Sequence, residues 1–329
     1  MKAAALNNLA IEAKGLVRSF KEVEAVKGVD LSIPKGEVYG FLGPNGAGKT
    51  TVVRMLITLL LPTEGQATVA GYDLITESKQ IRLRIGAALQ DATLDPKQRG
   101  VEFLRLQGYL YGLSRRQVDR RIDELGSLID IGDAINRSIS TYSGGMKRRL
   151  DLAAAMIHNP EILFLDEPTT GLDPISRNKV WEEVRRINQE LGVTIFLTTQ
   201  YLEEADTLAD RVGIINHGVL AVEGTPTELK RSMGSDVIIV EVEGDTVAAA
   251  DAVRTLDAAG QIEIHGNELM VKVSNGAAHI GPVALALHQG GVEVKEIKMR
   301  TPSLDDVFLN VTGARFEEVT AAEDAANEQ

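Results

Sequence analysis

Gly43-Pro44-Asn45-Gly46-Ala47-Gly48-Lys49-Thr50 sets glycines, a lysine and a hydroxyl in the order G-x-x-x-x-G-K-[ST], a pattern suited to wrapping backbone around phosphate. The glycines let N–H groups close on an anion without Cβ clashes. Lys49 would reach the outer phosphates, and Thr50 would offer its hydroxyl to a divalent cation. A second cluster, Asp166-Glu167, ends the apolar run Ile162-Leu163-Phe164-Leu165. Both carboxylates should then emerge at the carboxyl edge of a parallel sheet, where ligands of such folds bind. Asp166 suits a Mg²⁺ shell, and Glu167 suits the attacking water as base or orienting group. Pro168 is expected to hold Glu167 extended. The third cluster is Ser143-Gly144-Gly145, which opens a helical pattern over Met146 to His158 with Leu150, Ala153, Ala154 and Ile157 on one face. Lys147, Arg148 and Arg149 crowd its first turn, where the helix dipole disfavours cations by on the order of a few tenths of a kcal/mol each. An anion docked at Ser143 to Gly145 would account for both the glycines and the charge. A solvated basic cluster with Asp151 would account for the charge alone.

These groups need a rigid scaffold. Roughly the first two thirds of the chain alternates short apolar strands with helical patterns, as in a sheet covered by helices. Val38 to Leu42 runs into Gly43, Ile162 to Leu165 into Asp166, Thr194 to Leu197 into Thr198, and Val212 to Ile215 into Asn216-His217-Gly218. Each is apolar on both faces, as buried parallel strands must be. A helix is expected from about Lys49 to Leu61, its N-terminal amides facing the bound anion. Over residues 91–159 helical periodicity takes over, with Phe103, Leu106, Leu113 and the charged run Arg115 to Glu124, and reads as a helical insertion.

From Ser235 the order becomes strand Val237 to Val242, helix Thr246 to Ala258, two strands joined at Gly266-Asn267, a helix near His279 to His288 and a strand near Val292 to Ile297. That βαββαβ order is ferredoxin-like, a small α+β unit. Ser303 and Asp306 form a capping box for a last helix, Leu304 to Val311. The expected organisation is therefore a nucleotide-binding domain over 1–232, an α+β domain over 235–313 and an acidic tail over 314–329 whose end is expected to be disordered.

The 329 residues, 44% hydrophobic and 25% charged, suffice for two domains. A net charge of -12 argues against nucleic acid as the main partner. The absence of cysteine excludes disulfides, thiolate catalysis and Cys-ligated metals, and fits the cytoplasm. The longest apolar run, Met55 to Leu61, falls far short of the roughly 20 residues a spanning helix needs. The N-terminus lacks the apolar core of a secretory signal, so any membrane role calls for a partner.

With these motifs in this order, residues from about Leu16 to Gly224 resemble the nucleotide-binding subunit of an ABC transporter. Ser143-Gly144-Gly145 resembles its signature, Gly171-Leu172-Asp173 its D-loop and Gln90 its Q-loop glutamine. Phe20 stands where the family stacks an aromatic on adenine, and Val26 where it adds an apolar contact. The resemblance implies an α/β P-loop NTPase, the ABC cassette with its helical insertion, that hydrolyses ATP with Mg²⁺. ATP would be held by Gly43, Pro44, Asn45, Gly46, Ala47, Gly48, Lys49, Thr50 and Thr51, with Gln90 and Asp173 joining. Thr50, Gln90 and Asp166 would hold Mg²⁺. Glu167, Gln200, Ser143 and Lys49 would carry catalysis.

Two positions depart from the general family. Met146 stands where many members have glutamine, and Gln200 where most have a γ-phosphate-contacting histidine. Gln200 can donate a hydrogen bond but cannot carry a proton charge. Tyr142 to Met146, Thr198 to Asp206 and Pro302 to Leu309 are together similar to the daunorubicin-resistance-type ATP-binding subunits. That resemblance implies an exporter of a lipophilic drug, natural product or lipid; an importer ATPase or another non-drug ABC system is the alternative. In this family the signature serves ATP on the other subunit, so one loop and one signature per chain imply a head-to-tail dimer of two copies. A separate integral membrane permease would hold the pair at the cytoplasmic face of the membrane. Phe103, Tyr109 and Tyr111 are candidates for meeting it, core packing being the other account of them. A phosphate-loop kinase would leave the Ser143 turn unexplained, and a non-enzymatic scaffold would lack Lys49 or Glu167.

Overall fold

A computed structural model describes residues 8–21, 23–89, 94–129, 132–234, 236–243, 246–256 and 260–313. The chain divides into two compact units, one running to Pro226 and taking in the chain again from Phe308, the other Thr227–Val307. The first opens with β1 (Leu9–Phe20), β2 (Val23–Pro34), β3 (Val38–Leu42), α1 (Lys49–Leu56), β4 (Glu64–Val69), β5 (Tyr72–Asp73), α2 (Ser78–Arg82) and β6 (Ile85–Ala88). The helical insertion follows as α3 (Gly100–Leu110), α4 (Arg115–Leu128), two 3₁₀ turns and α5 (Gly144–Met156). The chain then returns to the sheet through β7 (Ile162–Asp166), α6 (Pro174–Leu191), β8 (Thr194–Thr198), α7 (Leu202–Leu208), β9 (Arg211–Asn216) and β10 (Val219–Gly224), and α8 (Pro226–Ser232) leads out of it.

Two sheets make up this unit. The central one has six strands in the order β10-β9-β3-β8-β7-β6, parallel except for the β9–β10 hairpin. Its inner strands β3, β7 and β8 are buried at every residue, as their unbroken apolar runs require. Parallel pairing aligns Phe41, Asp166 and Thr198 in one row. Gly43, Glu167 and Gln200 follow within two residues of that row, so the sheet edge itself gathers the chemistry. The second sheet is antiparallel, β2-β1-β4-β5. Its core includes Ile11, Leu16, Val26, Val29, Leu31 and Ile33, packed with Tyr39, Phe41 and the α1 residues Val52, Val53 and Met55. None of its strands was expected from the sequence.

The second unit holds β11 (Asp236–Glu243), α9 (Thr246–Arg254), β12 (Ile262–His265), β13 (Glu268–Val273), α10 (Gly276–Gln289) and β14 (Glu293–Arg300). Its antiparallel sheet runs β12-β13-β11-β14 over a core of Ile238, Val240, Ala249, Leu269, Val271, Val283 and Leu287. The βαββαβ order is therefore present as a ferredoxin-like sheet. The last helix, α11 (Leu304–Thr312), is capped by Ser303 and Asp306 as expected, with the Asp306 N–H donating to Ser303 Oγ at 3.2 Å and the Ser303 N–H to Asp306 Oδ2 at 2.9 Å. Its end, from Phe308, groups with the first unit, where Asn216 Nδ2 donates to the Val311 carbonyl at 3.2 Å. The acidic tail lies outside the described residues, among which no helix is long and apolar enough to cross a membrane.

Helix α1 stops at Leu56 rather than Leu61. Thr58 turns left-handed at φ 66°, and the N–H groups of Leu59 and Leu60 fold back onto the Arg54 carbonyl. That closing turn leaves Leu59 and Leu61 exposed.

Candidate functional site

The phosphate loop leaves β3 at Gly43 and closes into α1. Gly48 sits at φ 108°, where a Cβ would lie 2.6 Å from the Ala25 carbonyl, so only glycine fits the turn. Asn45, Gly46 and Thr50 are exposed, Pro44 and Thr51 half-buried and Ala47 buried. Lys49 is only 6% exposed, and its Nζ donates to the carbonyls of Gly43 at 2.6 Å and Pro44 at 3.1 Å. An ammonium folded into the curl of its own loop is a charge placed for an anion in that curl. Val26 is fully buried, its Cγ2 3.4 Å from where a Gly48 Cβ would stand. Phe20 is 43% exposed, with the Arg18 guanidinium 4.6 Å over its ring.

Asp166 is 5% exposed at the end of β7, and its Oδ1 accepts from the Thr198 hydroxyl on β8. Glu167 is not extended, as Pro168 had suggested, but left-handed at φ 48°. Its N–H donates to the Thr198 carbonyl at 3.0 Å and hydroxyl at 3.2 Å, and this pairing holds the backbone in a region costly for a non-glycine residue. Its carboxylate accepts from the Thr170 hydroxyl at 3.2 Å. Burial raises the Glu167 carboxyl above the usual range, while the nearby Lys49 ammonium opposes the rise. Gln200 Nε2 donates to Thr170 Oγ1 at 2.9 Å, so Thr170 links Gln200 to Glu167. Thr170 and Thr198 were not singled out from sequence, since an isolated threonine beside a motif carries no pattern of its own. Behind them Glu204, fully buried, accepts from Thr169 Oγ1 at 3.0 Å and Trp181 Nε1 at 2.7 Å, anchoring the turn after Pro168.

Ser143 is the exposed N-cap of α5, and its hydroxyl accepts from the Met146 N–H at 3.3 Å. Two of the three cations after it face inward. Arg148 turns inward onto backbone carbonyls and Asp151, and Arg149 lies 3.8 Å from the buried Glu183. Lys147 stays exposed and lines a cavity of about 440 Å³ with Gly144, Glu167, Thr170 and Leu172. Asp173 caps α6, accepting from the N–H groups of Ile175 at 3.1 Å and Ser176 at 3.0 Å and from the Ser176 hydroxyl at 2.6 Å. These donors hold its carboxyl below the usual range. Gln90 lies outside the described residues.

The residues present fit a magnesium nucleotide. Backbone amides and a buried ammonium suit phosphate, and the Thr50 hydroxyl and Asp166 carboxylate are hard oxygen donors of the kind Mg²⁺ takes. Comparison with known proteins agrees. The ABC transporter family model matches residues 26–170, and the model of the C-terminal domain of DrrA1-3-like ATP-binding proteins matches 224–312. The daunorubicin/doxorubicin resistance ATP-binding protein DrrA of Streptomyces peucetius is 45% identical, covering 97% of each chain. The linearmycin resistance ATP-binding protein LnrL of Bacillus subtilis is 36% identical over 92% of this chain and 98% of its own. A dimeric post-hydrolysis ATP-binding cassette bound to ADP and Pi superposes with a TM-score of 0.60 at 25% identity, covering 65% of this chain and 98% of that one. The chain belongs to the ATP-binding subunits of ABC transporters, Mg²⁺-dependent ATPases, and among them to the daunorubicin/doxorubicin-resistance type.

Proposed function

We propose that this subunit powers efflux of a lipophilic drug, natural product or lipid, as a head-to-tail pair of copies seated on a separate membrane permease at the cytoplasmic face. The observation that carries the pairing is the exposed Ser143 cap beside exposed Gly144, a helix start open to an anion in a chain with a single phosphate loop. Ser143 and the amides of Gly144 and Gly145 would then act on ATP held by the second copy, whose Ser143 would serve this one. The cassette dimer among the similar structures and the resistance proteins among the relatives support the reading. Similarity that extends through residues 224–312 favours export over import.

Bound MgATP would supply a γ-phosphoryl group whose charge the cation offsets. Lys49 would move from the Gly43 and Pro44 carbonyls to phosphate oxygens, Thr50 and Asp166 would face the cation, and Gln90 is assigned there by resemblance. Glu167 would orient the attacking water or take its proton. A groove of about 760 Å³ is lined by Ile57, Leu59, Leu83, Phe103, Leu110 and Tyr111 among others, with Leu59, Leu83 and Leu110 exposed. We assign this groove, with its exposed leucines, to the permease. Within the groove Tyr111 stacks on His158 at 3.7 Å, so its ring also packs the fold.

The Gln200–Thr170–Glu167 connection yields a test. Gln200→Ala is expected to lower steady-state turnover about tenfold, and Gln200→His to keep much of it, since an imidazole can still donate. Equal turnover in all three would show that the side chain has no part near the γ-phosphate. For export, the chain is co-expressed with a candidate integral membrane permease, and ATP-driven daunorubicin uptake into inverted vesicles is followed. Uptake unchanged by omitting ATP or this subunit would remove drug efflux from the reading.

A further inference from the structure

Arg148 lies on the second turn of α5, and its side chain is 12% exposed. All three of its nitrogens are engaged. Nε donates to the Pro168 carbonyl at 2.9 Å, Nη1 to the Leu89 carbonyl at 3.1 Å and Asp151 Oδ2 at 3.2 Å, and Nη2 to the Asp166 carbonyl at 3.0 Å and the Ala88 carbonyl at 3.4 Å. Four of those five acceptors are backbone, and they belong to two separate segments. The parallel ladder between β6 and β7 ends at the Ala88–Leu165 pair. Beyond it the guanidinium takes over from the ladder, bridging the end of β6 to Asp166 and to Pro168 on the other side of Glu167.

We propose that Arg148 is a positioning residue for ATP hydrolysis, a clamp across the carboxyl ends of β6 and β7 that keeps Asp166 and Glu167 in place, with Asp151 holding the clamp closed. A planar fork of five N–H donors suits this task, and a lysine could satisfy only part of it. The arrangement is retained against a desolvation cost. Burial pushes the Asp151 carboxyl up to about 6, which the Arg148 charge only partly offsets, and burial also lowers the Arg148 value. A buried pair disfavoured by desolvation is weak evidence for stability alone, and its contact with the catalytic strand end gives it another use. Because α5 also carries Ser143 at its start, one helix joins the outward-facing cap to the inward-facing carboxylates.

The inference rests on hydrolysis at Asp166 and Glu167, so Glu167→Gln is measured beside Arg148→Gln, Arg148→Lys and Asp151→Asn in the full chain with Mg²⁺ and ATP. Turnover is expressed per nucleotide-binding site, titrated with a fluorescent ATP analogue, so that loss of folded protein does not count as loss of rate. Arg148→Gln is expected to lower kcat about 100-fold, as for a displaced reacting group, with KM for ATP within about threefold of the parent. Arg148→Lys should recover part of the loss, and Asp151→Asn should cost about fivefold, near the effect of one hydrogen bond. If Arg148→Gln does not fold, the lysine and asparagine variants decide. Per-site kcat within about twofold of the parent in the variants that fold overturns the clamp, as does a loss seen in KM alone. If Glu167→Gln itself retains turnover, the site assignment has failed instead.

Discussion

Glu167→Gln is expected to reduce ATP turnover by about 10²- to 10⁴-fold while ATP stays bound and the two-copy assembly becomes easier to isolate. The substitution is nearly isosteric. The backbone N–H of residue 167 still reaches the Thr198 carbonyl and hydroxyl, and the new side chain can still meet Thr170. What disappears is a carboxylate able to accept a proton, together with a negative charge that would face the phosphates. Lys49, near enough to oppose the upward shift at Glu167, is untouched. Binding therefore survives and the chemical step fails, so closed dimers accumulate on size-exclusion chromatography with ATP and Mg²⁺. Near-normal ATPase activity in this variant would sink the assignment of Glu167.

Lys49→Ala is expected to act earlier, at the phosphates themselves. Removing the side chain deletes the ammonium that now rests on the Gly43 and Pro44 carbonyls. Hydrogen bonds to charged groups contribute about 1.5–3 kcal/mol each, so losing one phosphate contact should weaken ATP about 10- to 100-fold or abolish turnover. The variant also removes the positive charge that most opposes the upward shift at Glu167, which should raise that carboxyl further. Equilibrium binding of a fluorescent ATP analogue and steady-state hydrolysis check this together. Unchanged affinity with unchanged turnover would contradict the phosphate-loop reading.

The strands that gather the site were legible because they are buried on both faces: β3, β7 and β8 read as unbroken apolar runs, each ending in a chemically marked residue. The antiparallel sheet was not. The β1–β2 ladder shifts register four times along its length, with Gly15 at φ 58° on the inner strand, so its apolar and polar positions do not keep the period that marks a strand. The ferredoxin-like unit was readable because Gly266-Asn267 marks its hairpin and the alternation in β11 is clean. Local rules failed where a distant partner intervened. Glu167 departs from extended geometry because Thr198, on the neighbouring strand, takes its N–H. Among the cations after Ser143, helix periodicity cannot show that Arg148 folds back onto carbonyls from two other segments.

Gly145 is part of the turn that marks this family, and its own surroundings are tight. A Cβ there would lie 3.0 Å from both Cβ and Oγ of Ser176, just past the start of α6. The absence of a side chain there gives Ser176 its space at the start of α6. Substituting Gly145 would therefore press on Ser176 within the same copy, apart from anything the turn does for a nucleotide. For Lys49 and Glu167 the loss would reflect charge, but for the glycine it would reflect how little room the Ser176 side chain leaves.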